Sequence, residues 1–196
     1  MAASPLRNEH GKTLAELLCA LVMSGFSMGA MYNMMLVQNK VLSGQDYEVG
    51  IEQLARTTMD RVSRDLQMAG YRPVQGVSFD GVTYDPAQLR ILADLNGNGT
   101  TTEVNEEIIY SHDAATFQLS RSTGGVRTVV HGVQGFTFSY LNADGNPATK
   151  SADIRQVLVT LTARAPLRDP NYPANGGFRT FTLQSRLAPR NLGVAL

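Results

Sequence analysis

Residues Gly11 to Val37 read GKTLAELLCALVMSGFSMGAMYNMMLV, and everything downstream is read as cargo carried by this stretch. From Leu14 to Val37 run about 24 residues, enough to cross a hydrocarbon core of roughly 30 Å at about 1.5 Å per residue. No Lys, Arg or Asp falls between Thr13 and Val37, and Glu16 is the charge that does. Arg7, His10 and Lys12 lie in or beside a short polar leader ahead of it. Basic residues on that side predict a cytoplasmic N-terminus, with the bulk of the chain across the membrane. A secretory signal would place its small-residue cleavage site after the apolar run. Here the small residue, Gly11, comes before it.

A plain anchor does not account for Glu16. A carboxylate one turn into a spanning helix costs on the order of a few kcal/mol and calls for a cationic partner. Lys12 is four residues earlier and shares its face; an α-amino group newly created at residue 12, from the same or an adjacent subunit, is the other candidate. Gly25 and Gly29 form a small-xxx-small pair that permits close helix approach. Met23, Met28, Met31, Met34 and Met35 read as adaptable packing groups.

The 196 residues allow this segment plus one domain of ordinary size. Lys+Arg 17 against Asp+Glu 17 gives no electrostatic reason for a nucleic-acid partner. The single cysteine, Cys19, excludes an intrachain disulfide. His10, His112 and His131 lack metal-ligand spacing, and there is no nucleophile elbow or phosphate loop, so no enzyme is expected.

Beyond Val37 the pattern turns amphipathic. Ile51, Leu54, Thr58, Val62, Leu66 and Ala69 recur at spacings of three and four. Glu52–Arg56, Asp60–Arg64 and Arg61–Asp65 stand four apart as exposed helix pairs. Gly70, followed by Tyr71-Arg72-Pro73, is a stop signal. One long helix from about Thr13 to Ala69 is expected, with Gly44 and Gly50 as points where it could bend. Strand-like runs follow at Leu89–Ala93, Ile108–Ser111, Phe117–Ser120, Arg127–His131, Phe136–Leu141, Val157–Ala163 and Phe178–Leu187. Asn142 to Gly145 reads as a hairpin-type turn, and Pro166 to Gly177 as a surface loop. The expected class is α+β: a long N-terminal spine helix, its first half transmembrane, packed against an antiparallel β-sheet head.

Asp94 to Glu107 opens like a calcium loop of the EF-hand type. Asp94, Asn96, Asn98 and Thr100 supply oxygens at alternate positions, and Gly99 stands sixth for the sharp turn. The twelfth residue is Asn105, so Glu106 or Glu107 would have to serve as the late carboxylate. An ordinary turn rich in Asn and Gly is the competing reading. Calcium is therefore a candidate ligand, and no other cofactor is expected.

Gly11-Lys12-Thr13-Leu14-Ala15-Glu16-Leu17-Leu18 resembles the N-terminal motif of type IV prepilins and type II secretion pseudopilins. Lys12 stands where phenylalanine is usual and Ala15 where a larger aliphatic is usual. The resemblance implies cleavage between Gly11 and Lys12 by a prepilin peptidase, N-methylation of Lys12, and Glu16 as the carboxylate that serves assembly. It divides the chain into a leader (1–11), a transmembrane and filament-core helix (12–37), its amphipathic continuation (38–70) and a periplasmic β-rich head (71–196). Leu89–Gly99, Glu106–Ser111 and Ser185–Gly193 are also similar to minor members of the PilW-like or PulJ-like kind. The implied partners are the inner membrane, the peptidase and other major and minor pilins or pseudopilins. The implied function is a minor subunit that primes or caps a type IV pilus. A minor pseudopilin of type II secretion is the first alternative. A single-pass membrane protein with a calcium- or ligand-binding head that never polymerises is the second.

Overall fold

The computed structural model describes residues 10–74, 76–170 and 172–192. The proposed leader therefore lies outside the described residues from 1 to 9. The chain divides into two units, Met1–Asp46 and Tyr47–Leu196. A single helix, α1 (His10–Gln67), supplies the described part of the first unit and continues into the second. It is helical from His10, ahead of the expected Thr13, and stays helical through Gly44 and Gly50. Nothing lies within 4 Å of a Cβ placed on Gly50, which leaves that position merely weaker in propensity.

Within the second unit, the end of α1 buries Ile51, Ala55, Thr58, Met59, Val62 and Leu66, while Leu54 is half-buried. The face is wider than the expected stripe because Ala55 and Met59 flank it. The helix stops where expected. Met68 and Ala69 close tight turns on the carbonyls of Asp65 and Leu66, and Gly70 takes a left-handed φ of 74°. Its N–H leaves the helix direction to reach the Leu92 carbonyl at 2.8 Å. Gly81 passes so close that a Cβ there would sit 2.2 Å from the Gly70 nitrogen. Both glycines are needed for the chain to turn off the helix into the sheet.

The head holds two antiparallel sheets where one was expected. The first runs β1 (Val82–Thr83), β2 (Leu89–Leu92), β3 (Glu107–Asp113), β4 (Gln118–Thr123) and β5 (Val126–His131), paired in chain order. The second runs β6 (Val133–Leu141), β7 (Gln156–Arg164) and β8 (Thr180–Leu187). Seven of these match the strand-like runs of the sequence; the two-residue β1 has no periodicity to betray it. The break falls at Gly132, φ 81°, whose carbonyl accepts from Arg164 in β7 while the next N–H, of Val133, reaches Phe117 beside β4. A register shift between Val133 and Gly135 then lets Val133 and Phe136 both point inward. Along β7, Val157, Val159, Leu161 and Ala163 are buried in strict alternation.

Asn142–Gly145 is a turn, but not a hairpin joining β6 directly to β7. Asn142 Oδ1 accepts from the N–H groups of Asp144 and Asn146, and the chain doubles back through a Leu141–Pro147 bridge. It then forms a short 3-10 turn at Ser151–Asp153 before entering β7. In the loop after β7, Asp169 is buried and accepts from Arg179 Nε at 2.8 Å. Arg179 also pairs with Glu48 of α1. Burial opposes its charge less than Asp169 supports it, and the net effect is to raise its pKa, with the Asp169 hydrogen bond as the leading cause.

Candidate functional site

In α1, every described large apolar side chain from Leu14 to Val37 is exposed, among them Leu14 (71 %), Phe26 (77 %) and Met28 (76 %). This is the one helix, among the described residues, long and apolar enough to cross a membrane. Three of its polar side chains bond back to the helix's own carbonyls. Ser24 Oγ donates to Leu21 O and Ser27 Oγ to Met23 O, each at 2.9 Å, and Asn33 Nδ2 donates to Gly29 O at 2.9 Å. Such back-bonding lets a helix carry polar side chains in an apolar medium. Glu16 is exposed and makes no hydrogen bond or ion pair among the described residues. The side chain of Lys12 lies outside them, so the proposed Lys12–Glu16 pairing has no geometry to report; the Gly11–Lys12 backbone belongs to the first turns of α1.

Val22, Gly25, Phe26, Gly29, Ala30 and Asn33 line one shallow groove along that helix. A Cβ on Gly25 or Gly29 would meet nothing within 4 Å. Both glycines sit in ordinary helix, where each costs about 1 kcal/mol relative to alanine. Neither backbone conformation nor packing within this chain calls for them. Cys19 lies exposed in the same stretch.

In the head, the five residues considered for calcium share one loop. The buried Asp94 accepts from the N–H of Gly97 at 2.7 Å and of Gly99 at 3.0 Å. The buried Glu106 accepts from the N–H groups of Leu95, Asn96 and Glu103 at 3.0, 3.2 and 3.3 Å. Asn96 Oδ1 accepts from the Asn98 N–H, and Asn98 Oδ1 from both the N–H and hydroxyl of Thr100. The amide nitrogens of Asn96 and Asn98 turn toward Glu103, donating at 2.7 and 2.8 Å. The oxygens thus face the loop's own donors. No group of three or more His, Cys, Asp or Glu side chains among the described residues is placed to hold a metal. Asp94 and Glu106 act here as carboxylates that satisfy a tight loop's backbone.

A second cluster has no signature in the spacing of its residues. Asp65, expected at the helix surface, is buried. Its Oδ2 accepts from Tyr110 Oη at 2.5 Å and from Arg121 Nε at 2.7 Å. Arg61, its expected partner, stands at 3.8 Å, whereas Glu52–Arg56 closes to 2.6 Å as expected. Burial, and then the adjacent Asp65 charge, push the Tyr110 hydroxyl well above its ordinary pKa. Burial works against the Arg121 charge, but the Asp65 hydrogen bond and charge outweigh it and raise the Arg121 pKa. The histidines do no comparable work: His112 Nε2 lies 2.8 Å from the Val133 carbonyl, and His131 is exposed.

No protein-family model matches the chain. No curated protein matches it either. Among solved structures it is similar to a type IV-like pilin from Thermus thermophilus, with 14 % sequence identity and a TM-score of 0.43, over 72 % of this chain and 97 % of that one.

Proposed function

We propose that the chain is a non-enzymatic minor subunit of a type IV pilus, cut between Gly11 and Lys12 by a prepilin peptidase and methylated at Lys12. One observation carries the reading: an apolar helix surface, exposed throughout Leu14–Val37, contains two glycines that nothing in this chain requires. Each large side chain withdrawn from water contributes about 1.5–3 kcal/mol. Lipid can cover the surface while the subunit waits in the membrane, but lipid gives no reason for Gly25 and Gly29. A neighbouring helix does, because the missing Cβ atoms let two backbones approach.

Glu16 then sets the axial position of that neighbour. In a filament core of low dielectric, the carboxylate and the new N-terminal amine neutralise one another only at the correct stagger, since a mismatch leaves a buried charge unpaired. The head, with its own core, rides on the amphipathic end of α1 and supplies contacts at the filament tip, where a minor subunit primes or caps assembly. The same chemistry serves a type II secretion pseudopilus, which is the alternative within the class.

Substituting Glu16→Ala tests the reading. Membrane insertion should be unchanged, because removing a charge from an apolar helix favours it. Incorporation into filaments, read by immunogold labelling of sheared pili, should be lost. Equal incorporation would count against the proposed role of the charge.

A further inference from the structure

The Asp65 cluster forms one wall of a cleft of about 310 Å³ between α1 and the first sheet, at the edge where β5 ends that sheet. Leu119 and Val130 give it an apolar floor, and Arg61, Arg64 and Arg121 are among the residues that line it. Asp65 is the carboxylate against them; it accepts from Arg121 and Tyr110 and also stands 3.8 Å from Arg61. Arg64 is exposed and makes no ion pair among the described residues. The cleft therefore carries an excess of positive charge in a molecule that is neutral as a whole.

The edge beside it is unprotected. β5 pairs with β4 in unbroken register from Val126 to His131, with no bulge and no proline. Among the described residues no strand pairs with its outer side, and Val126 is 60 % exposed. Exposed straight edges of this kind accept an added strand, whose alternate side chains fall on one face of the sheet. On β5 that face is the one bearing Thr128 and Val130, the cleft side.

We infer that β5 and the adjoining cleft bind an extended, acidic segment of another protein. The segment's main chain adds as a sixth strand to the sheet, and carboxylates at alternate positions meet Arg61 and Arg64. The inference stands on the head alone and does not depend on the filament reading.

Three fluorescent eight-residue peptides test it by polarisation on the full chain in detergent: one alternating valine and glutamate, its valine–lysine counterpart, and the valine–glutamate peptide methylated on every second backbone nitrogen. The first should bind at millimolar concentration or below, more weakly as salt rises, and the other two should not. Arg64→Glu should weaken binding about fivefold to tenfold, while Arg186→Glu, an exposed reversal on β8, should leave it unchanged. Absence of binding by the valine–glutamate peptide overturns the proposal. So does equal binding of the lysine or methylated peptide, or indifference to Arg64→Glu.

Discussion

Asp65 illustrates how a single side chain can couple two elements. It lies in the last turn of α1, and its partners Tyr110 and Arg121 are 45 and 56 residues away on neighbouring strands. Its side chain and that of Arg121 are 9 % and 11 % exposed, so removing one charge strands the other in a poorly solvated site. Asp65→Ala should lower unfolding free energy by about 3–5 kcal/mol, whereas Glu52→Ala, which breaks an exposed pair, should cost less than about 1 kcal/mol. Urea denaturation followed by circular dichroism distinguishes them. Tyr110 adds an alkaline signature. Its folded pKa is raised, so its contribution is fully present below the ordinary tyrosine value of about 10 and is lost as pH climbs from there toward the folded value. Tyr110→Phe should flatten that alkaline loss of stability. The cluster was not legible in the sequence because Arg61, four residues before Asp65, offers a local partner that satisfies the helix rule. Nothing in the spacing of Tyr110 or Arg121 points back to α1.

At the scale of elements, the periodic signals served well where one face meets a core and failed where chemistry is local. The alternation in β7 and the three-four spacing from Ile51 to Ala69 announced their burial. The division into two sheets did not announce itself, because Gly132 and the irregularity at Val133–Gly135 are small backbone events between two runs that each read as strands. The Asp94–Glu106 loop was legible as a sharp turn rich in oxygen donors, but sequence alone could not tell whether those oxygens face a cation or the backbone. Their hydrogen bonds give Asp94 and Glu106 a structural role in the loop. Asp94→Ala should therefore destabilise the chain by about 1–3 kcal/mol, to the same extent with and without millimolar calcium. A thermal stabilisation by calcium that Asp94→Ala abolishes would instead support the calcium reading. For α1 the expectation is reversed: Gly25→Ala with Gly29→Ala should raise the helicity of the isolated chain by removing about 1 kcal/mol of unfavourable propensity at each site. The same pair should reduce incorporation into filaments, since the added methyl groups push neighbouring helices apart.

For the whole molecule, an apolar helix surface and a self-contained head core pose different demands on one chain. The head satisfies its apolar residues internally, from Ile51 on α1 to Leu161 on β7. The Leu14–Val37 surface satisfies nothing internally, and on our reading it is covered first by lipid and then by other subunits. On the same reading, the proposed processing links the two states by creating the amine that Glu16 is proposed to meet. The most direct measurement is the intact mass of the protein purified from its native host. The account predicts a chain beginning at Lys12, with or without one added methyl group. A chain that retains Met1 to Gly11 in cells with an active prepilin peptidase would contradict it.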